Sequence, residues 1–400
     1  MDEGTGTTWI GAAVRSARLQ RGLSLEVVAG LAEHTKSWLS KVERGLLPLE
    51  RRSDIAALAA ALQVSPVDLT GRPFLAEQRP PGVLEAAVVQ VRRALQDVPD
   101  PAGADEPDRL VVEVEAMQPV RLSLDLAGLG EALPGLLTRL RATLVAARRA
   151  EDRTRLLRAY FWAASYAWDL LKETGHLDLA WIAALHAREA AESLDDPVWL
   201  AAAEFGRAHA LVPTGAARAA LAYASAGADL ASTAAGPDAT GAHGALQLAA
   251  AYAAAIAGMT EEATDRIAAA EQLAGGDTGR AFTRGFAFGM PNVGLHRMQV
   301  AIESGQPQQV LAAAQAMPGE ALPTPERRAT YWVDLGRAHA MMRRDEDSLR
   351  MFRRAEQIAA ARVRLHPMAR EAVAGMLARR QRAAVGRDLR GLAYRMGLPH

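Results

Sequence analysis

The chain has 400 residues, of which 50% are apolar and 5% aromatic, and its 46 Lys and Arg balance 46 Asp and Glu. This length exceeds one ordinary compact domain, so we expect at least two domains or a repeat array. The chain has no cysteine, which excludes disulfides, thiolate metal sites and cysteine nucleophiles. The longest apolar run, residues 248–259, is shorter than the roughly 20 residues of a membrane helix, and the N-terminus has no apolar signal core. We therefore expect a cytoplasmic protein without a membrane partner.

The first predicted unit covers residues 9–70 and consists of five short helices. Apolar residues at helical spacing begin at Trp9. Residues that typically cap or break helices then divide the unit, and Ser53 with Asp54 is expected to open the fourth helix. The caps and breaks are, in chain order, Gly22, Ser24, Thr35, Gly45, Ser53, Asp54 and Ser65.

The third helix, in the stretch HTKSWLSKVERG (34–45), contains two of the three lysines of the chain. A helical wheel places Thr35, Leu39 and Val42 on one face, which we expect to be buried. The opposite face is short or basic and suits a groove lined with phosphates and hydrogen-bonding base edges. The open alternative is a solvated face in an ordinary bundle. The candidate DNA-binding residues are Thr35, Lys36, Ser37, Ser40, Lys41 and Arg44.

Residues 10–70 resemble the lambda-Cro/XRE-type helix-turn-helix domain. The matching segments are VRSARLQRGLS (14–24), VVAGL (27–31), TKSWLSKVERG (35–45) and IAALAAALQVSPVDL (55–69). The resemblance implies a structural ion pair between Arg18 and Glu43. It also implies that Lys36, Ser37 and Lys41 face the bases, while Ser40 and Arg44 lie nearer the DNA backbone.

Two residues depart from the pattern of that family. Leu25 stands where a polar, phosphate-contacting residue is usual, and Glu33 stands at the usual turn glycine. A non-glycine residue in the left-handed conformation costs about 1 kcal/mol, so the turn is a candidate for reshaping. Residues 9–70 contain eight Lys and Arg against six Asp and Glu. Because phosphate neutralisation supplies most of the affinity for DNA, we expect a homodimer that reads two half-sites of double-stranded DNA.

The rest of the chain is predicted to be a linker with one helix over residues 71–109, followed by helical repeats over residues 110–396. A tetratricopeptide (TPR) pattern starts at Trp332 and recurs around Gly175 and Gly258, and we expect its glycines at helix-to-helix turns. Such hairpins bury their apolar faces only by stacking, and five to seven are expected. The predicted fold is therefore all-α, with a small five-helix helix-turn-helix domain joined to an α-solenoid of TPR-like hairpins.

Residues 286–305 and 389–398 resemble the TPR-like arrays that many bacterial XRE-type regulators carry behind the DNA-binding domain. That resemblance implies dimerisation and binding of a signalling peptide or a protein partner; a small-molecule effector is also open. An aromatic cluster and a polar pair are candidates for such a site, against the alternatives of an ordinary core and a helix cap. The candidate ligand-binding residues are Trp162, Tyr166, Trp168, Asn292 and His296.

These features favour a sequence-specific, DNA-binding transcriptional regulator with a sensing array. The alternative is an interaction scaffold whose helix-turn-helix domain does not read DNA. No H-E-x-x-H, G-x-S-x-G or phosphate-binding glycine loop occurs, and the nine histidines lack metal-ligand spacing. We therefore expect no enzyme activity, cofactor or bound metal.

Overall fold

The computed structural model describes residues 9–71, 83–275, 281–282, 286–380 and 386–398. Within these ranges the fold is all-α, as predicted, apart from a two-residue antiparallel pairing of Ala281–Phe282 with Phe286–Ala287. The helix-turn-helix unit (residues 9–71) contains α1 Trp9–Gln20, α2 Leu25–Leu31, α3 Lys36–Glu43, α4 Arg52–Leu62 and α5 Pro66–Thr70.

Side-chain caps set most of the helix starts in this unit. The hydroxyl oxygens of Ser24 and Thr35 accept hydrogen bonds from backbone N–H groups in the first turns of α2 and α3. Ser65 and Asp68 form a reciprocal capping box at α5. The fourth helix begins at Arg52, earlier than the Ser53–Asp54 start that the sequence predicts, and no side chain caps it.

One face of α3 is buried in the core of this unit. Leu39 and Val42 are fully buried, as predicted, but Thr35 is exposed because its hydroxyl caps the helix instead of packing inward. The prediction that Thr35 shares the buried face is therefore wrong. The same core includes Met368, which comes from the far end of the chain.

The remaining helices form the array (residues 83–398). They are α6 Val83–Gln96, α7 Pro107–Leu122, α8 Leu126–Ala146, α9 Ala150–Glu173, α10 Leu177–Leu194, α11 Pro197–Leu211, α12 Ala217–Ser232, α13 Pro237–Ile256, α14 Thr260–Ala274, α15 Met290–Glu303, α16 Pro307–Ala316, α17 Pro325–Met341, α18 Asp345–Ile358, α19 Ala360–Arg364, α20 Pro367–Arg380 and α21 Arg387–Arg395. Consecutive pairs from α9–α10 to α17–α18 pack against each other, which gives the predicted hairpins. Helix α6 shares a hydrophobic core with α8 and α9. The predicted domain boundaries at residues 71 and 110 stay a prediction.

The glycines of the repeat pattern have two different roles. Gly175 and Gly258 have positive φ angles of 77° and 76° and lie at turns between paired helices, as expected. Gly336 instead lies inside α17, where a Cβ atom would come within 2.5 Å of the Phe352 ring on α18. The Ser348 hydroxyl also donates to the Gly336 carbonyl at 2.7 Å. The expectation of a turn at Gly336 is wrong, because this glycine permits close helix packing.

Buried polar contacts join the helix-turn-helix unit to the array. The Glu371 carboxylate accepts hydrogen bonds from the backbone N–H groups of Ile10 (3.2 Å) and Leu49 (3.4 Å). Arg52, at the start of α4, pairs with the buried Glu303 carboxylate at 2.6 Å. These contacts fix the start of α1 and the loop before α4 against the array. In the described part of the chain, no helix is both long and apolar enough to span a membrane.

Candidate nucleic-acid interface and internal cavity

The outward face of α3 carries the predicted DNA-binding residues, and it is accessible. Thr35, Lys36, Ser37, Lys41 and Arg44 are exposed, and Ser40 is half-buried. Lys36 lies 3.5 Å from Glu26, but both side chains are more than half exposed, so this ion pair is weak and leaves Lys36 available. Lys41 makes no ion pair with any residue that the structure describes. Phosphate oxygens and base edges can therefore reach both lysines.

A buried ion pair holds α3 against α1. Arg18 Nε and Nη2 donate to the two carboxylate oxygens of Glu43 at 2.6 and 2.7 Å. Arg18 Nη1 also donates to the Leu23 carbonyl at 2.9 Å. Planar, bidentate pairing of this kind fixes orientation as well as charge. The pair that the resemblance implies is confirmed, and it gives Glu43 a structural role instead of a contact with DNA.

The turn between α2 and α3 has Glu33 at the position where a glycine is usual. Glu33 has a φ angle of 58°, in the left-handed region. The N–H of His34 donates to the Ala29 carbonyl at 2.8 Å, which closes the end of α2. Glu33 therefore adopts the left-handed conformation that glycine usually supplies at this turn. Leu25 is half-buried against the core and offers no polar group at the start of α2.

A ring contact that sequence reasoning did not identify stabilises the start of α3. The His34 and Trp38 rings are stacked with 3.6 Å between centroids and an interplanar angle of 8°. Residues four apart face each other on a helix, and here the stack bridges the turn and the helix. The four-residue spacing of two aromatic rings was the available signal.

A cavity of about 280 Å³ lies between the helix-turn-helix unit and the array. Arg52, Ile55 and Thr70 line it from the helix-turn-helix side. The opposite wall comes mainly from α9, α11, α13, α15 and α17, which are the first helices of the hairpins. Six lining side chains are Lys or Arg and four are Asp or Glu: Arg52, Arg121, Lys172, Arg327, Arg337, Arg362, Asp169, Glu173, Glu326 and Asp334.

Most of these charges are paired across the wall. Arg121 Nε lies 2.8 Å from Asp169, and Arg362 lies 3.2 Å from Glu173 and 2.8 Å from Glu326. Burial raises the pKa of Asp169, but the neighbouring positive charges of Arg121 and Lys172 outweigh burial and lower that pKa to about 2. Asp169 therefore stays ionised in this site.

Arg327 is the exception, because it makes no ion pair within the described residues. Its Nη1 donates to Oδ1 of Asn292. Burial lowers the pKa of the Arg327 guanidinium to about 10, and the charges of Arg121 and Arg362 act in the same direction while Glu326 opposes them. The group remains a cation at neutral pH.

Two histidines near Arg327 are uncharged at neutral pH. Burial lowers the pKa of His209 to about 4 and that of His296 to about 3, and the Arg327 charge contributes to both shifts. Nδ1 of His209 is 3.0 Å from the Phe205 carbonyl, and Nδ1 of His296 is 2.9 Å from the Asn292 carbonyl. A carbonyl only accepts, so Nδ1 carries the proton in each ring and Nε2 is an acceptor.

The structure separates the predicted ligand-binding residues into two groups. Trp168, Asn292 and His296 line the cavity. Trp162 and Tyr166 are instead stacked on each other in the core around α9, with ring centroids 6.1 Å apart, and they are outside the lining set among the described residues. No sequence signal distinguishes Arg327, which is one of many arginines in a helical pattern.

Comparison with known proteins identifies the N-terminal unit. A family described as a helix-turn-helix domain matches residues 9–70, which confirms the predicted helix-turn-helix domain of XRE type at the N-terminus. Among solved structures, the chain is similar to Bacillus thuringiensis PlcR in complex with the peptide PapR7 and DNA. The identity is 12%, the alignment covers 88% of this chain and 99% of that chain, and the TM-score is 0.34. The comparison with curated proteins gives no match.

Proposed function

We propose that this protein is a sequence-specific, DNA-binding transcriptional regulator that acts in the cytoplasm as a homodimer, and that its array senses an effector. The accessible basic face of α3, within a helix-turn-helix domain, carries the proposal. A helix of this kind enters the major groove, where lysine donates to guanine O6 or N7. The proposed base contacts are Lys36, Ser37 and Lys41, with Thr35, Ser40 and Arg44 nearer the backbone.

The docking of the helix-turn-helix unit on the array supports this proposal. The array contacts the unit at Ile10, at Leu49 and at Arg52, all of which lie outside α3. Lys36 and Lys41 remain exposed in the same arrangement. DNA therefore has access to α3 while the unit stays docked, and changes in the array can reach the unit through these contacts.

Selection of bound sites from random duplex DNA, followed by binding at several salt concentrations, tests the regulator. We expect Lys36→Ala and Lys41→Ala each to weaken binding by about 1–3 kcal/mol and to relax selectivity at the base that each contacts. Arg148→Ala is the matched control, since it removes an exposed positive charge from the loop between α8 and α9. Equal affinity of all four proteins for the selected site would refute the assignment of α3 as the recognition helix.

The homodimer rests on affinity. One helix-turn-helix unit with a small excess of positive charge binds DNA weakly, so two units on adjacent half-sites supply the missing affinity. Native mass spectrometry of the free chain and of its complex with the selected site tests this. Two chains per duplex are expected, and a single chain bound with full affinity would contradict the dimer.

A second candidate function is an interaction scaffold, and exposed apolar residues favour it. Val27 and Leu31 on α2 are 47% and 63% exposed, next to the proposed DNA face. Such residues can form part of a protein-binding surface. The scaffold predicts that Lys36→Ala and Lys41→Ala leave cellular function intact, whereas Leu31→Ser abolishes it.

A further inference from the structure

We propose that the internal cavity binds a small aromatic carboxylic acid, whose carboxylate pairs with Arg327 and whose ring lies against Trp168 and Phe205. The inference deepens the sensing role proposed above, on which its regulatory consequence rests. The binding site itself stands on the contacts around Arg327.

The charge balance of the cavity favours an anion. Six lining side chains are Lys or Arg, against four lining Asp or Glu and the buried Glu303, which pairs with Arg52 and Arg337. The low pKa values of His209 and His296 leave both rings neutral at physiological pH, so they do not change this excess. A ligand carboxylate would bring the site closer to neutrality.

Among the described residues, Arg327 is the lining cation without a carboxylate partner. The other five lining cations each have a carboxylate oxygen within 4 Å, for example Arg337 with Glu303 at 3.0 Å. Arg327 has none among the described residues, and its guanidinium carries five N–H donors of which the Asn292 amide oxygen takes one. Burying a charge without a counter-charge is costly. Since Arg327 is half-buried and lines the cavity, a ligand carboxylate can reach its free donors.

Unsatisfied polar atoms in the wall are the second observation that indicates a ligand. Arg121 Nη1 and Trp168 Nε1 are buried donors without a hydrogen-bond partner among the described residues, and both side chains line the cavity. Trp168 is only 4% exposed. Buried polar groups are nearly always hydrogen-bonded, so such atoms mark a place where a bound molecule supplies partners.

Aromatic rings beside Arg327 define the rest of the ligand. The Phe205 and His209 rings are 4.0 Å apart at 33°, and the Trp168 and His209 rings are 6.4 Å apart. Rings of this kind favour a flat, apolar body. Cavities for small molecules start at about 300 Å³, and the observed volume of about 280 Å³ is at that lower limit. A single small ring compound fits this volume.

The cavity also connects the ligand to the helix-turn-helix unit. Ile55 of α4 and Thr70 of α5 line the same cavity as Trp168 and Arg327. A bound acid therefore occupies a space that the unit and the array share. The acid would stabilise the docked arrangement to the extent that it binds this arrangement more tightly than the undocked one.

Isothermal titration calorimetry of the full chain with benzoate and with indole-3-acetate tests the site. Benzyl alcohol and inorganic phosphate are the ligand controls, because the first lacks the charge and the second lacks the ring. We expect saturable binding of at least one carboxylate to the wild type and to Arg148→Met. We expect at least about tenfold weaker binding to Arg327→Met, which keeps an apolar stem but removes the charge-assisted hydrogen bonds.

Three outcomes would overturn the site: no saturable binding of either carboxylate, equal affinity of Arg327→Met for them, or equally tight binding of phosphate or benzyl alcohol. Circular dichroism of Arg327→Met, together with its affinity for the selected DNA site without ligand, shows whether the variant is folded. A chain that binds the carboxylate but no DNA would refute the proposed regulator and keep the site. A chain that binds DNA but no carboxylate would refute only the site.

Discussion

The Arg18–Glu43 pair provides the sharpest test of how α3 is held in place. Both side chains are nearly buried, with 9% and 4% exposed. Arg18→Met keeps the aliphatic stem but leaves the Glu43 carboxylate buried without a cation and removes a donor from the Leu23 carbonyl. Breaking a buried pair on one side costs about 3–5 kcal/mol. We expect a loss of this size in the free energy of opening of α3.

The double variant Arg18→Met/Glu43→Leu separates the lost charge pair from lost packing. Replacing both partners of a buried pair by apolar residues is often close to neutral, so most of the loss should be recovered. Hydrogen exchange of the α3 amides is the suitable assay, because a chain with several cooperative units has no single free energy of unfolding. A cost below about 1 kcal/mol for Arg18→Met would refute this reasoning, and so would a double variant as unstable as Arg18→Met.

Three further variants or conditions address the turn, the repeat packing and the cavity. Glu33→Gly should raise the stability of the helix-turn-helix unit by up to about 1 kcal/mol, because glycine adopts positive φ without strain; hydrogen exchange of the α2 and α3 amides measures this gain. Gly336→Ala should destabilise the array by about 1–3 kcal/mol through overpacking, whereas Gly135→Ala, which has open space within α8, should stabilise it by about 0.5–1 kcal/mol; hydrogen exchange of the α17 and α8 amides compares the two. Lowering the pH from 7 to 5 should destabilise the protein through His209 and His296, and His296→Gln should weaken this dependence; melting temperatures at both pH values measure it.

The direction of the pH effect follows from the shifted pKa values. His209 and His296 have an unfolded pKa near 6.5 and folded values of about 4 and 3. Their stabilising contribution is complete above about pH 6.5 and is lost as the pH falls towards the folded values. Asp334 acts in the opposite direction between about pH 4 and 6, because burial raises its pKa to about 6. Among the described residues, six histidines have lowered pKa values, against two carboxyl groups, Asp334 and Glu50, whose pKa burial raises, so the protein should become less stable on acidification. A melting temperature that rises towards pH 5 would contradict this balance.

The position and the buried face of α3 were predictable from the sequence because its features are local. Caps such as Thr35 and the burial of Leu39 and Val42 follow from spacing within one helix. The resemblance to a known family supplied the Arg18–Glu43 pair. Gly336 shows the limit of this reasoning, since a glycine at a turn and a glycine at a close helix contact look alike in sequence.

The cavity and the docking contacts were not predictable for a different reason. Glu371 binds the N–H of Ile10 across 361 positions of the chain, and no local pattern encodes such a contact. Arg327 becomes distinctive only when the fold pairs the cations around it and leaves this one without a carboxylate. The sequence could identify Trp168, Asn292 and His296 as candidates, but it could not place them around one volume.

Because α20 contributes to the N-terminal core, the helix-turn-helix unit cannot be freely transferred to other proteins. Met368 fills part of that core, and Glu371 satisfies two amide groups beside it. A fragment ending at residue 71 would lose the Met368 side chain from its core and would leave the two amide groups without the Glu371 acceptor. A chimera that grafts the fragment onto a foreign sensor would inherit the same defect unless the acceptor supplies an equivalent methionine and glutamate.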